Sequence, residues 1–161
     1  MKTYTVSFFG HRNVNQLNFA IEQLERIIPI LLKTNEYVEF LVGDKGDFDL
    51  LVSATIKTAQ KKYDYGNSEL VLVLPYFTAD YRENIESYER YFDRVEICAE
   101  SAGIHFKRTY QVRNQAVVDR SDMVICCIEH NSGGAFQAVQ YAKKKNKKVV
   151  NLIDYFKVFF T

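Results

Sequence analysis

A histidine and an arginine follow the first apolar segment of the chain, in residues 7–13, SFFGHRN. An arginine guanidinium can hold a phosphate or a carboxylate with two parallel hydrogen bonds. Histidine, with an ordinary pKa of about 6.5, can donate to a phosphate or transfer a proton. We predict that Gly10, His11 and Arg12 line a site for a phosphate-bearing small molecule, where Gly10 lets the chain turn and the ligand approach. In the alternative, Arg12 pairs with an aspartate and His11 packs against the backbone.

A second candidate anion site is residues 130–137, HNSGGAFQ, where an apolar segment gives way to a helical pattern. The N–H groups at the start of a helix, together with the helix dipole, attract phosphate. A tight turn without a ligand would need the same glycines, and the serine can cap the helix instead. The pattern is neither a Walker A loop nor the GxGxxG dinucleotide motif. The candidate ligand-binding residues here are Ser132, Gly133, Gly134, Ala135 and Phe136.

Acidic residues are concentrated in residues 43–49, GDKGDFD, a turn-rich connection that begins with Gly43. Asp44 and Asp47 can hold the hydroxyl pair of a ribose, as acidic residues do at comparable sites. Solvated carboxylates in a turn are the alternative. Asp49 stands directly before an apolar helical stripe, which indicates a helix N-cap.

Two further polar candidates, Arg113 and Asn114, lie on a predicted helix over residues 110–120. From this helix the arginine can reach the same ligand site. A surface salt bridge with Glu100 or Asp119 is the alternative.

Five nearly continuous apolar runs predict strands at residues 4–9, 37–42, 70–74, 123–128 and 148–153. Such runs are typical of strands that are buried on both faces. Helical patterns separate them, at residues 17–31, 50–58, 82–92, 110–120 and 135–145. This alternation predicts a three-layer, Rossmann-like α/β domain with a mostly parallel sheet of five or more strands. Because ligands bind at the carboxyl ends of such strands, all the candidate loops should meet at one edge of the sheet.

Length and charge limit the class of protein further. A chain of 161 residues is predicted to form a single domain, residues 1–161. Its 21 basic and 20 acidic residues give a formal net charge of +1. Because proteins that bind nucleic acid are usually more basic, we do not expect nucleic acid as a partner.

The start of the chain lacks a secretory signal, and no segment approaches the roughly 20 apolar residues of a membrane span. We therefore expect a cytoplasmic protein without a membrane partner. The cysteines, Cys98, Cys126 and Cys127, have neither metal-ligand nor disulfide spacing, so buried reduced thiols are predicted. No metal and no cofactor are expected. Residues 155–160, YFKVFF, are predicted to belong to the core or to a subunit interface.

With these segments placed, the chain resembles the SLOG superfamily, which includes the LOG phosphoribohydrolases and the DprA recombination mediators. The resemblance covers nearly the whole chain and rests on the order of four segments: SFFGHRN, GDKGDFDLLV, VRNQAVVDRSDMVI and SGGAFQAVQYAKKKNKKVVNL. It implies a Rossmann-like fold and, in many members, a homo-oligomer. It also implies binding of a nucleotide or a nucleotide-derived molecule, linear or cyclic, such as one derived from NAD or ADP-ribose.

Carried over by position, the resemblance assigns family motif positions to Gly10, Arg12, Gly43, Asp49, Arg113, Gly133 and Gly134. The chain departs from the LOG motif at Ser132, Phe136 and Gln137, and Gln140 replaces the catalytic glutamate. Phe136 could stack on a base or pack beneath the helix.

A glutamine cannot act as a carboxylate base. We therefore expect a sensor or sequestering protein rather than an enzyme. One alternative is a hydrolase of nucleotide N-glycosidic or phosphoester bonds that uses Asp47, Glu129 or His11. The other is a DNA-processing accessory protein.

Overall fold

The computed structural model describes residues 1–63 and 66–154. Its strands, in chain order, are β1 (Thr3–Gly10), β2 (Tyr37–Val42), β3 (Ser68–Leu74), β4 (Arg94–Ile97), β5 (Met123–Cys127) and β6 (Lys148–Asn151). Its α-helices are α1 (Leu17–Thr34), α2 (Asp47–Tyr63), α3 (Ala79–Glu83), α4 (Ile85–Tyr91), α5 (Phe106–Arg120) and α6 (Gly133–Lys144). The strands form one parallel sheet in the order β4-β3-β2-β1-β5-β6.

Helices cover both faces of this sheet. On one face, α1 and α2 bury Leu24, Ile28 and Val52 against strand residues that include Phe8. On the other face, α5 and α6 pack against strand residues that include Phe9. Neighbouring residues of β1 thus enter opposite cores, which is why its sequence is continuously apolar. The prediction of a three-layer Rossmann-like domain is confirmed.

The region between β3 and α5 differs most from the prediction. The helix predicted over residues 82–92 is two short helices, α3 and α4, which are interrupted at Asn84. Strand β4 was not predicted at all. It lies at the edge of the sheet, and its sequence, RVEI, alternates charged and apolar residues instead of forming an apolar run.

The predicted thiols are free and buried at Cys98, Cys126 and Cys127. Burial raises the pKa of Cys126 and Cys127 to about 12, so neither is a reactive thiolate at neutral pH. The predicted core or interface segment at residues 155–160 lies outside the described residues. In the described part of the chain, no helix combines the length and the apolar character that a bilayer span requires.

An ion-pair network fastens β4 and the end of α5 to the sheet. The buried carboxylate of Glu39 on β2 accepts hydrogen bonds from Arg94 at 2.8 Å and from Arg120 at 2.9 Å. It also accepts a hydrogen bond from the hydroxyl of Thr5 on β1. Glu96 pairs with the same two arginines, and its hydrogen bond from Arg120 lowers the pKa of this carboxyl.

Replacing Glu39 with alanine is expected to lower the free energy of unfolding by about 2 kcal/mol, measured by urea denaturation. The loss is smaller than for a fully buried pair, since the side chains of Arg94 and Arg120 are 40% and 35% exposed. Glu86→Ala is the matched control, because its pair with Arg90 is almost fully exposed. Equal effects of the two substitutions would show that the Glu39 network does not fasten the strands.

Candidate functional site

A cavity of about 450 Å³ lies at the carboxyl ends of β1, β2, β3 and β5, a volume typical of ligand pockets. We call it the rim cavity. Most of the predicted site residues line it: Gly10, His11, Arg12, Gly43, Asp44, Arg113, Asn114, Gly133, Gly134 and Ala135. The topology explains this grouping, since parallel strands bring their following loops to the same edge of the sheet.

The rim cavity lies beside the switch point of the sheet. Strand β1 pairs with β2 on one side and with β5 on the other, so the connections after β1 and β5 diverge. His11 follows β1, and His130 follows β5. Their rings stack with centroids 3.6 Å apart and planes 8° from parallel. The two histidines form one wall of the cavity.

The side chain of His11 is both packed and part of that wall. The residue is 7% exposed, and its Nε2 accepts a hydrogen bond from the backbone N–H of His130 at 3.4 Å. Burial, and then the charge of His130, lower the pKa of His11. His11 is therefore neutral at neutral pH, with Nε2 occupied as an acceptor.

Arg113 lies at the bottom of the cavity and holds strand ends together. Its guanidinium donates to the carbonyls of Val73 at 2.8 Å and Val42 at 3.0 Å, and to the side-chain oxygen of Asn114 at 2.9 Å. These bonds tie α5 to the ends of β2 and β3. The alternative of a surface salt bridge is wrong, because the residue is 5% exposed and its hydrogen bonds go to two carbonyls and an amide oxygen. Contact of Arg113 with a ligand stays a prediction.

Asp49 also differs from its prediction as an N-cap. Helix α2 begins at Asp47, and Asp49 lies in its first turn, where Oδ2 accepts a hydrogen bond from the N–H of Lys45 at 3.1 Å. The residue is only partly buried, but desolvation of its carboxyl raises the pKa to about 6, against the opposing effect of Arg113. With a pKa of about 6, Asp49 changes its charge between mildly acidic and neutral pH. Because Asp49 lines the cavity, the charge of the cavity changes with it.

The space beside Gly10 is filled by protein at the position of a Cβ atom. A Cβ on this residue would lie 2.4 Å from Cδ2 of the buried Phe48, so a protein side chain fills the space. Similarly, a Cβ on Gly43 would lie 2.8 Å from Oδ2 of Asp49. The packing against Phe48 requires glycine at position 10, whereas at position 43 the carboxylate of Asp49 would have to move.

Three of the predicted residues do not line the cavity: Asp47, Ser132 and Phe136. Asp47 acts through its backbone, since its N–H donates to the carbonyl of Arg12 at 3.1 Å. Ser132 precedes α6 without capping it, and its hydroxyl lies 3.0 Å from Nδ1 of His130. Gly46 was not among the predicted site residues. Its φ of +92° and close approach to the Arg12 backbone join the two loops.

The start of α6 is open toward solvent. A Cβ on Gly133 or Gly134 would meet no atom of the described residues within 4 Å, and both glycines are exposed at the start of this 12-residue helix. Gly133, with φ +92°, adopts a backbone conformation that favours glycine. Both glycines line the rim cavity.

Several lining residues were not among the predicted site residues: Asn13, Lys45, Asp49, Pro75, Tyr110 and His130. Each except Tyr110 lies in a loop or helix start after a strand, so a rule that took every polar residue of those segments would have found most of them. Exposed Lys45 and Arg12 bring positive charge to the mouth of the cavity. In residues 1–63 and 66–154, no cluster of three or more His, Cys, Asp or Glu side chains could hold a metal.

The residues considered for hydrolysis are engaged in other contacts. Glu129 accepts hydrogen bonds from the N–H groups of Asn15 at 2.7 Å and Gln16 at 3.2 Å, directly before α1. Asp47 does not line the rim cavity, and Nε2 of His11 accepts from the backbone. The arrangement is suited to holding an anion against α6, Arg12 and Lys45.

No protein-family model matches the chain, and no curated protein matches it in sequence. Among solved structures, it is similar to DNA processing protein A from Helicobacter pylori, described for its single-stranded DNA binding mode. That match has a TM-score of 0.63 at 15% identity and covers 91% of this chain and 63% of the other. DNA processing protein A (DprA) from Streptococcus pneumoniae matches with a TM-score of 0.62 at 12% identity. That match covers 91% of this chain and 49% of the other. The chain spans less than two thirds of either protein.

The expectation that nucleic acid is not a partner is wrong, because a protein with the same fold binds single-stranded DNA. Net charge is a weak guide to such binding, because it sums over the whole surface, whereas binding depends on the local potential. At these identities the similarity shows the fold alone. The chain therefore has the Rossmann-like fold found in DNA processing protein A, which agrees with the architecture implied by the SLOG resemblance.

Proposed function

We propose that the rim cavity binds single-stranded DNA by taking up one nucleotide unit, with a phosphate at the start of α6. The observation that carries the proposal is that Gly133 and Gly134, the exposed first residues of α6, line the same cavity as Arg12 and Lys45. Helix N–H groups and cations together favour a phosphate. The shared fold with a protein that binds single-stranded DNA supports this choice of ligand.

The position of Arg12 favours contact with the phosphate rather than an internal salt bridge. The residue is exposed, and its carbonyl is held by the N–H of Asp47, so its backbone is fixed at the mouth of the cavity. Nearby Lys45 adds a second cation. The opposing carboxylates of Asp44 and Asp49 limit the net attraction, which predicts moderate affinity that weakens as salt is added.

Arg12→Ala is expected to weaken binding of a fluorescein-labelled oligothymidylate about tenfold, measured by fluorescence anisotropy at low salt. Loss of one charge-assisted hydrogen bond to phosphate accounts for this change. The slope of log affinity against log salt should also fall by about one. The matched control is Arg26→Ala, since Arg26 is exposed on α1 and does not line the cavity. Equal binding by the parent and Arg12→Ala would contradict the proposal.

A free nucleotide or nucleotide-derived molecule is the second candidate ligand. The size of the rim cavity favours it, because about 450 Å³ matches a single small ligand. AMP, NAD and ADP-ribose should then raise the melting temperature by mass action and displace labelled DNA. A melting shift without any DNA binding would favour this candidate over the first.

Binding of an anion is expected to strengthen as pH falls from about 7.5 to about 5. Asp49, with its pKa raised to about 6, is negative at the upper pH and neutral at the lower, so the cavity loses a repelling charge. Asp49→Asn should bind oligothymidylate about fivefold more tightly than the parent at the upper pH and should show a weaker pH dependence. An unchanged pH profile would show that Asp49 does not repel the ligand.

A further inference from the structure

A second cavity, of about 400 Å³, lies beside the rim cavity and between α2 and α4. We call it the aromatic pocket, because Tyr88, Tyr91 and Phe92 form much of its wall. Gly43 and Asp44, in the loop after β2, line both cavities. A ligand held in one cavity is therefore next to the other.

The ring of Tyr91, in the wall of the aromatic pocket, is partly exposed and is fixed in place by its neighbours. Tyr91 is 37% exposed, and its ring packs edge-on against Phe92 with centroids 4.9 Å apart. The Nζ of Lys57 lies 3.9 Å from the centroid of the Tyr91 ring and donates to the carbonyl of Tyr91 at 2.7 Å. Leu50, 63% exposed, adds apolar surface on the α2 side. Lys57 covers one face of the Tyr91 ring, and these contacts hold the ring at the wall of the pocket.

A buried hydroxyl lies in the same wall without a partner. Ser53 is 2% exposed and lines the aromatic pocket, and its Oγ makes no hydrogen bond to any described residue. A buried polar group without a partner is unfavourable, and native proteins rarely keep one without a reason. A ligand with a polar edge would supply the missing hydrogen bond.

We propose that the aromatic pocket receives a nucleobase, which packs against the aromatic wall and hydrogen-bonds to the hydroxyl of Ser53. A nucleobase combines a flat apolar face, which suits the aromatic wall, with a polar edge, which suits the hydroxyl of Ser53. The proposal rests on the proposed function, since a nucleotide phosphate in the adjoining rim cavity would bring the base to this pocket. The loop of Gly43 and Asp44 lies between the two parts of the ligand.

The first test compares oligothymidylate with an abasic strand of equal length, which keeps the phosphates and lacks the bases. The parent should bind oligothymidylate about tenfold more tightly. Tyr91→Ala should remove this preference and leave the affinity for the abasic strand unchanged. Phe106→Ala is the matched control, because Phe106 is 66% exposed and lines neither cavity. A preference that persists in Tyr91→Ala overturns the proposal.

Ser53→Ala separates a binding role from a structural one. Removal of an unpaired buried hydroxyl should leave the melting temperature of the free protein unchanged or raise it. The same substitution should weaken binding of oligothymidylate several-fold and leave binding of the abasic strand unchanged. Equal affinity of Ser53→Ala and the parent for oligothymidylate contradicts the hydrogen bond to the base.

Free thymidine, which has no phosphate, tests the aromatic pocket independently of the rim cavity. In the parent, thymidine should shift the backbone amide resonances of Ser53 and Tyr91, and Tyr91→Ala should abolish the shifts. If neither strand binds but thymidine still shifts these resonances, the proposed function fails and the base site stands. If both strands bind the parent equally and thymidine causes no shift, the base site fails and the proposed function stands.

Discussion

Arg113→Ala is expected to lower the free energy of unfolding by about 4 kcal/mol, the largest effect of any substitution considered for this protein. The guanidinium is buried and donates to the carbonyls of Val42 and Val73. Alanine leaves these carbonyls without their donor, removes the positive charge near Asp49 and opens a cavity. Urea denaturation of the parent and the variant measures the difference.

Two controls define the origin of this loss. Arg113→Lys keeps the charge but cannot reproduce a planar guanidinium with several donors, so an intermediate loss is expected. Arg26→Ala, at an exposed position on α1, should change stability by less than about 0.5 kcal/mol. If Arg113→Ala unfolds at the same urea concentration as the parent, the arginine does not hold the strand ends. Because of the expected destabilisation, Arg12 is the better residue for tests of binding.

Gly10→Ala is expected to destabilise the protein by about 3 kcal/mol, although the added group is a single methyl. That methyl would lie 2.4 Å and 2.5 Å from two ring atoms of Phe48, which is fully buried and has no open space to enter. Overpacking of a dense core is typically this unfavourable. The change in melting temperature and the urea midpoint both report it.

Gly134 and Phe48 provide the controls. Gly134→Ala, whose methyl would meet no atom of residues 1–63 and 66–154 within 4 Å, should leave stability within about 0.5 kcal/mol of the parent and weaken oligonucleotide binding. The double variant Gly10→Ala/Phe48→Leu should be more stable than the sum of its single changes predicts, by at least about 1 kcal/mol. Additive effects would show that the methyl and the ring do not clash.

The sequence was sufficient to predict the layers of the fold and the edge that carries the cavity. Continuous apolar runs identify strands buried on both faces, and β1, with Phe8 and Phe9 in opposite cores, illustrates why. Once the strands are parallel, the loops that follow them must meet. Strand β4 was missed because an edge strand with charged side chains lacks such a run.

The roles of single residues could not be predicted where a distant neighbour determines them. The constraint on Gly10 comes from Phe48, which lies on α2, and the partners of Arg113 are carbonyls of β2 and β3. A sequence pattern contains no information about such contacts. The expectation about nucleic acid rested on a net charge of +1, which does not describe how charges are distributed over the surface.

Photo-crosslinking of a 4-thiothymidine oligonucleotide, followed by mass spectrometry, tests most directly whether single-stranded DNA binds in the rim cavity. The proposed function predicts crosslinks to the loops after β1 and β5 and to Tyr110, and their loss in Arg12→Ala. Crosslinks confined to another basic region, such as the exposed lysines at the end of α6, would contradict it. So would the absence of any crosslink at concentrations that saturate binding.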